Sequence, residues 1–131
     1  MMVLALPLPL KSMLNLQEAK SMKIASAKAK GRKAAVELQQ LLLSRFPELH
    51  PEDVRVTASS VNGEDLQLSP RARELLPFNF EVKNQERLNI WEALAQSKHH
   101  GQHKPVVAFK RNRTPFHVCM EVETFLDLIA G

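Results

Sequence analysis

The stretch GEDLQLSPRARELLPFNFEVKNQERLNIWEAL, residues 63–94, decides the fold, and the run FNFEVKNQE inside it, residues 78–86, decides the chemistry. Side chains alternate across a β-strand, so Phe78, Phe80 and Val82 point together into a core while Glu81, Lys83 and Gln85 share the opposite face. A carboxylate and an ammonium group side by side on a central strand are costly to bury unless they pair or coordinate a metal. Just upstream, Asp65 and Gln67 alternate in the same way against Leu66 and Leu68, offering a second carboxylate that a neighbouring strand can bring near Glu81. Two carboxylates with room for water make an oxygen-ligand site for a hard cation such as Mg2+.

The flanking elements follow from hydrophobic periodicity. SAKAKGRKAAVELQQLLLSRF carries Ala34, Leu38, Leu41 and Leu42 at helical spacing with Pro47 just beyond, which predicts a helix from about residue 27 to 45. PEDVRVTAS supplies a β-branched alternation at Val54 and Val56 and leads into the turn SVNGED. DLQLS alternates again, PRARELL opens with Pro70 at a favoured first helical position, and FNFEVKN is a strand. ERLNIWEALAQSK places Leu88, Trp91, Leu94 and Ala95 on one helical face, which HHGQHK breaks. PVVAFKR, the turn NRT and FHVCMEV form a hairpin, and EVETFLDLIAG closes the chain as a helix ending in Gly. The expected class is α/β, a mixed central β-sheet flanked by helices, without internal repeats.

The 131-residue length fits one compact domain able to bury roughly two-thirds of its unfolded surface, and 44% hydrophobic with 24% charged residues is ordinary globular composition. Eighteen Lys+Arg against 14 Asp+Glu give a net +4, a balance that favours polyanionic partners, nucleic acid above all. Residues 1–25 are expected to form a leader or arm, either poorly ordered or packed on a second subunit, with residues 26–131 as the single folded domain. The apolar part of that leader is too short to span a bilayer and lacks the marks of a signal peptide, so a cytoplasmic protein with no membrane partner is expected. The lone Cys119, in the apolar run FHVCMEV, reads as a reduced, buried thiol. His99, His100 and His103 have no cysteine or fourth ligand nearby and read as solvated or phosphate-contacting side chains rather than a zinc site.

Two basic clusters stand out: Lys28, Lys30, Arg32 and Lys33 at the start of the first long helix, and Lys110, Arg111 and Arg113 at the hairpin turn. They either grip phosphates without reading bases or keep a small domain soluble. No Gly-rich phosphate loop, zinc finger or aromatic stacking platform is apparent, which argues against sequence-specific readout and an ATP-driven motor.

GED followed by EVK in this element order resembles the signature of the PD-(D/E)xK nuclease superfamily, over roughly residues 27–112. It is most similar to phage-type and archaeal Holliday-junction resolvases, although Glu64-Asp65 lacks the preceding Pro. The resemblance implies a restriction-endonuclease-like core of order α-β-β-β-α-β. It further implies Mg2+, or Mn2+ as a substitute, held by Asp65, Glu81 and the carbonyl of Val82. Lys83 would position the attacking water, Glu37, beside Ala34 and Leu41, would hold a water or second metal from above, and Gln85 would join the same network. The implied activity is hydrolysis of DNA phosphodiesters at four-way or other branched junctions, by a homodimer presenting two symmetric sites, in a bacterial or phage-infected cell. The same core also serves restriction, nicking and exonuclease roles, and a DNA-binding module without turnover is the remaining alternative.

Overall fold

The computed structural model describes residues 7–57, 65–99 and 103–131, with side chains from residue 15 onward. The expected turn at 60–64 and His100 lie outside these residues. The chain separates into two units, Met1–Lys30 and Gly31–Gly131.

The first helix, α1, runs Pro7–Arg45 and so begins well before the predicted residue 27. Pro7 and Pro9 sit in its first turn, where the backbone N–H groups have no intrahelical partner and proline costs nothing. Within the first unit Leu16, Met22 and Ile24 are exposed. No helix among the described residues is long and apolar enough to cross a membrane.

In the second unit α1 is followed by a short turn of 3-10 helix at Pro51–Asp53, then β1 (Val54–Val56), β2 (Leu66–Leu68), α2 (Pro70–Leu75), β3 (Phe78–Asn84), α3 (Ile90–Ser97), β4 (Lys104–Lys110), β5 (His117–Cys119) and α4 (Val122–Ala130). The class is mixed α/β. Strands β1 and β2 form an antiparallel pair, while β3, β4 and β5 form a mixed sheet in that order, β3 parallel to β4 and β4 antiparallel to β5. The single sheet expected from the sequence is thus divided in two. At the junction the main-chain ladder gives way to a side chain: Asp65 N–H donates to Phe80 O at 3.0 Å, but Val82 N–H finds the Asp65 carboxylate.

Local signals set the element ends. Ser69 caps α2 by accepting Ala72 N–H at 3.0 Å, with Pro70 following as the sequence leads one to expect. Asn89 caps α3 through Glu92 N–H at 3.2 Å. Gly131, at φ +76, takes the left-handed conformation beyond α4 that L side chains resist. Arg113 holds the same conformation, φ 66, in the β4–β5 turn without being glycine.

The core lies on one face of the sheet. Ala34, Ala35 and Leu38 of α1 pack with Val54, Leu66, Ala72, Leu76, Phe80, Val82, Val106 and Ala108. Each large side chain buried there contributes about 1.5–3 kcal/mol. On the opposite face α3 packs over β3 and β4 with Ala93 and Ser97 buried, close to the buried Val107. The expected apolar face Leu88–Trp91–Leu94–Ala95 is therefore corrected: α3 starts only at Ile90, it approaches the sheet through small side chains, and Trp91 is 79% exposed. Cys119 is half-buried rather than buried, because β5 is the edge of its sheet.

Candidate active site

Asp65 enters β2 at the point where it meets β3. Its N–H donates to Phe80 O and its Oδ2 accepts Val82 N–H at 2.6 Å, so the residue brackets Glu81 on the adjoining strand. Its own carbonyl takes Thr57 N–H at 2.9 Å, which ties the same point back towards β1. These bonds fix Asp65 against the main chain on either side of Glu81. Glu81 is buried, only 7% exposed, in the middle of a seven-residue strand whose other face fills the core with Phe80 and Val82. Its Oε1 lies 3.3 Å from Lys83 Nζ, the next side chain on the same face. The pairing offsets part of the cost of burying the carboxylate.

Lys83 opens onto a cleft of about 230 Å³ between β3 and α3, shared with Gln85, Arg87, Asn89, Glu92 and Gln96. Asn89, Glu92 and Gln96 were not singled out from the sequence. Their spacing of three and four residues puts them on one side of α3, and the Asn89 cap was the local signal that could have revealed it. Gln85 is exposed at the end of the strand, and its N–H donates to Lys110 O at 3.2 Å.

Glu37 meets the sheet elsewhere. Its Oε2 is 3.0 Å from Lys110 Nζ, an ion pair in which the lysine side chain is 15% exposed. Lys110 is in register with Asn84, so it shares the face of Phe80 and Val82 that α1 covers, whereas Glu81 and Lys83 project from the face of α3. Lys110 also lies 5.5 Å from the centre of the Phe116 ring. Asn84 Oδ1 is buried there without a hydrogen-bond partner.

The basic residues fall into three settings. Lys28 and Lys30 belong to the first unit, and Arg32 and Lys33 open the second, where both are exposed. Arg111 and Arg113 are exposed on the β4–β5 turn, which Thr114 closes by accepting Arg111 N–H at 2.9 Å. Lys110 is committed to Glu37. His99 and His103 are exposed.

Two carboxylates with an ammonium group beside them form an oxygen donor set suited to a hard divalent cation that keeps most of its waters. Among the described residues no group of three or more His, Cys, Asp or Glu side chains is gathered, so Asp65, Glu81 and main-chain oxygen would hold such an ion without a third acidic side chain. No family model, curated protein or solved structure matches the chain.

Proposed function

We propose that this chain is a metal-dependent endonuclease that hydrolyses DNA phosphodiester bonds, with a restriction-endonuclease-like core and branched DNA, four-way junctions included, as its substrate. The observation that carries this reading is the bracketing of Glu81 by Asp65 with Lys83 alongside: an acid at the start of β2 meets an acid and a lysine that alternate along β3. The order α1-β1-β2-α2-β3-α3-β4, in which the short α2 interrupts the three strands and β4 returns parallel to β3 after α3, supports the same core.

Bound at Asp65, Glu81 and the Val82 carbonyl, Mg2+ or Mn2+ would activate water and neutralise charge on the scissile phosphate. The chain's own groups do the rest. Val82 N–H holds the Asp65 carboxylate in one orientation. Lys83, anchored by Glu81 but open to the cleft, presents its ammonium group to the charge that develops on the phosphate oxygens. Gln85 extends the hydrogen-bonding edge of the same cleft. Glu37 stands apart from this arrangement: it holds Lys110 at the end of β4 on the opposite face of the sheet. Phosphate grip falls to Arg111, Arg113 and the cluster Lys28, Lys30, Arg32 and Lys33. A non-glycine residue kept at positive φ, as Arg113 is, is a strain that functional loops retain. Two symmetric cuts across a junction call for a homodimer, and α4 offers an apolar stripe for a second copy: Val122, Phe125, Leu126 and Ile129 lie at one helical spacing and are 69%, 50%, 49% and 65% exposed.

The deciding experiment incubates the purified chain with Mg2+ and linear duplex, single strand, flap or four-way junction of matched sequence. Cleavage favouring the junction supports the reading. Cleavage of linear duplex alone moves the assignment to a restriction or nicking role, and tight binding without cleavage leaves a DNA-binding module.

A further inference from the structure

On the face of the sheet that carries Glu81 and Lys83, a second feature lies beside them. Lys83 is in register with Phe109 on β4, and Phe109 with His117 on β5. One row thus crosses three strands, Lys83–Phe109–His117, and at about 4.8 Å per strand it spans roughly 10 Å. The rings of Phe109 and His117 are 5.6 Å apart and inclined by only 30°. They belong to a hollow of about 500 Å³ whose other walls are Gln85, Leu88, Ile90, Lys110, Arg111 and Thr114. Gln85 and Leu88 line both this hollow and the cleft at Lys83, so the two adjoin.

We propose that this hollow is a subsite for one unpaired nucleobase of the strand whose phosphate lies at Lys83. This assignment rests on the DNA reading above and adds to it the part of the substrate that is recognised. A nucleobase is flat and apolar on its faces and polar on its edge. The hollow matches it with two rings, two aliphatic side chains, the Gln85 amide and an exposed guanidinium, Arg111, for the adjoining phosphate. Its size falls within the range of small-molecule sites. A base stacked and paired within a duplex cannot lay its face on these rings. The occupant is therefore a base freed from pairing, as at a single strand, a flap or the crossover of a junction. The roughly 10 Å row sets that base one to two nucleotides from the phosphate at Lys83.

The test uses the full chain with Ca2+ in place of Mg2+ and reads binding rather than cleavage. Affinities for a single-stranded oligonucleotide and for a blunt duplex are compared in the parent, His117→Ala, His117→Phe and Phe109→Leu, with 2-aminopurine in the strand reporting stacking. His117 is exposed, so its variants fold whatever becomes of Phe109→Leu. Expected is about a tenfold loss of single-strand affinity in His117→Ala, the loss of one base–ring stack, with duplex affinity changed less than twofold, and retention in His117→Phe. Unchanged single-strand affinity, an equal loss on both ligands, or a mononucleotide binding as tightly as the strand would each overturn the subsite. Failure of the nuclease reading shows separately, as absence of cleavage in Mg2+ by the parent.

Discussion

The Oδ2 of Asp65 accepts the backbone N–H of Val82 at 2.6 Å, so one carboxylate both joins the start of β2 to β3 and is held at the residue next to Glu81. The two roles separate by substitution. Asp65→Asn keeps an oxygen to accept the N–H but loses the charge, and is expected to fold like the parent while losing cleavage. Asp65→Ala leaves Val82 N–H without that acceptor and is expected to cost a further 1–3 kcal/mol, about the penalty of stranding a buried donor. Denaturant midpoints alongside cleavage rates check this; equal stability of the two variants would remove the structural role.

Glu81 and Lys83 are coupled, with the carboxylate the more buried partner. Lys83→Ala removes the ammonium partner 3.3 Å from Glu81 and is expected to destabilise by about 1–3 kcal/mol, less than a fully buried pair because the lysine is partly exposed. Adding Glu81→Gln should restore most of that stability. Lys83→Ala, Glu81→Gln and the double variant should all fail to cut, and Ca2+ should support binding without cutting, because its looser coordination places water poorly. Cleavage retained by Glu81→Gln, or robust activity in EDTA, would remove the central claim.

Much of this arrangement was legible from residue order. The strand at Phe78–Asn84, the start of α2 at Pro70, the β4–β5 hairpin and the closing helix all follow from alternation, helical spacing and Pro or Gly punctuation. Two kinds of feature were not legible. The reach of α1 back to Pro7 escaped because prolines in a first turn look like breakers until the helix start is known. Cross-strand relations escaped because register is a property of the fold: Phe109 and His117 lie apart in the chain, and their pairing shows only once the hairpin closes. Glu37 shows the same limit, since the partner it meets, Lys110, lies on the far side of the sequence.

Asp53 ties the turn before β1 to the start of α2. The backbone N–H of His50 donates to its carboxylate at 2.8 Å and the Ser69 hydroxyl at 2.7 Å, and these bonds, the first more than the second, hold its carboxyl below the usual Asp range. Because the folded state prefers the ionised form, the stabilisation is present above the ordinary Asp range and is lost as pH falls through the lowered value. Asp53→Asn is therefore expected to be less stable than the parent at neutral pH and to converge with it in acid. Denaturant midpoints at pH 7 and stepwise below pH 4 measure the convergence; a constant gap would contradict it.

The stripe on α4 tests the dimer. Phe125 and Ile129 sit one turn apart and largely exposed, so a charge at either would face solvent in a monomer and a partner in a dimer. Phe125→Glu and Ile129→Glu are expected to give monomers by sedimentation, with the fold intact and junction cleavage lost more than nicking of linear duplex. A parent that is itself monomeric at micromolar concentration would remove the second copy from α4.

Salt dependence identifies the charges that hold DNA. Each phosphate contact releases condensed counterions, so the logarithm of affinity falls with the logarithm of salt at roughly 0.9 per contact on duplex. Arg32 and Lys33 are exposed and form no ion pair among the described residues, whereas Lys110 is paired with Glu37. Arg32→Ala with Lys33→Ala is therefore expected to flatten the slope by about one to two, and Lys110→Ala to leave it nearly unchanged. The double variant should weaken junction and linear duplex by similar factors, because phosphate contacts carry no sequence information. An unchanged slope would make this cluster a solvated stretch of α1. A loss confined to the junction would instead put Arg32 and Lys33 at the crossover, where they would read the shape of the DNA.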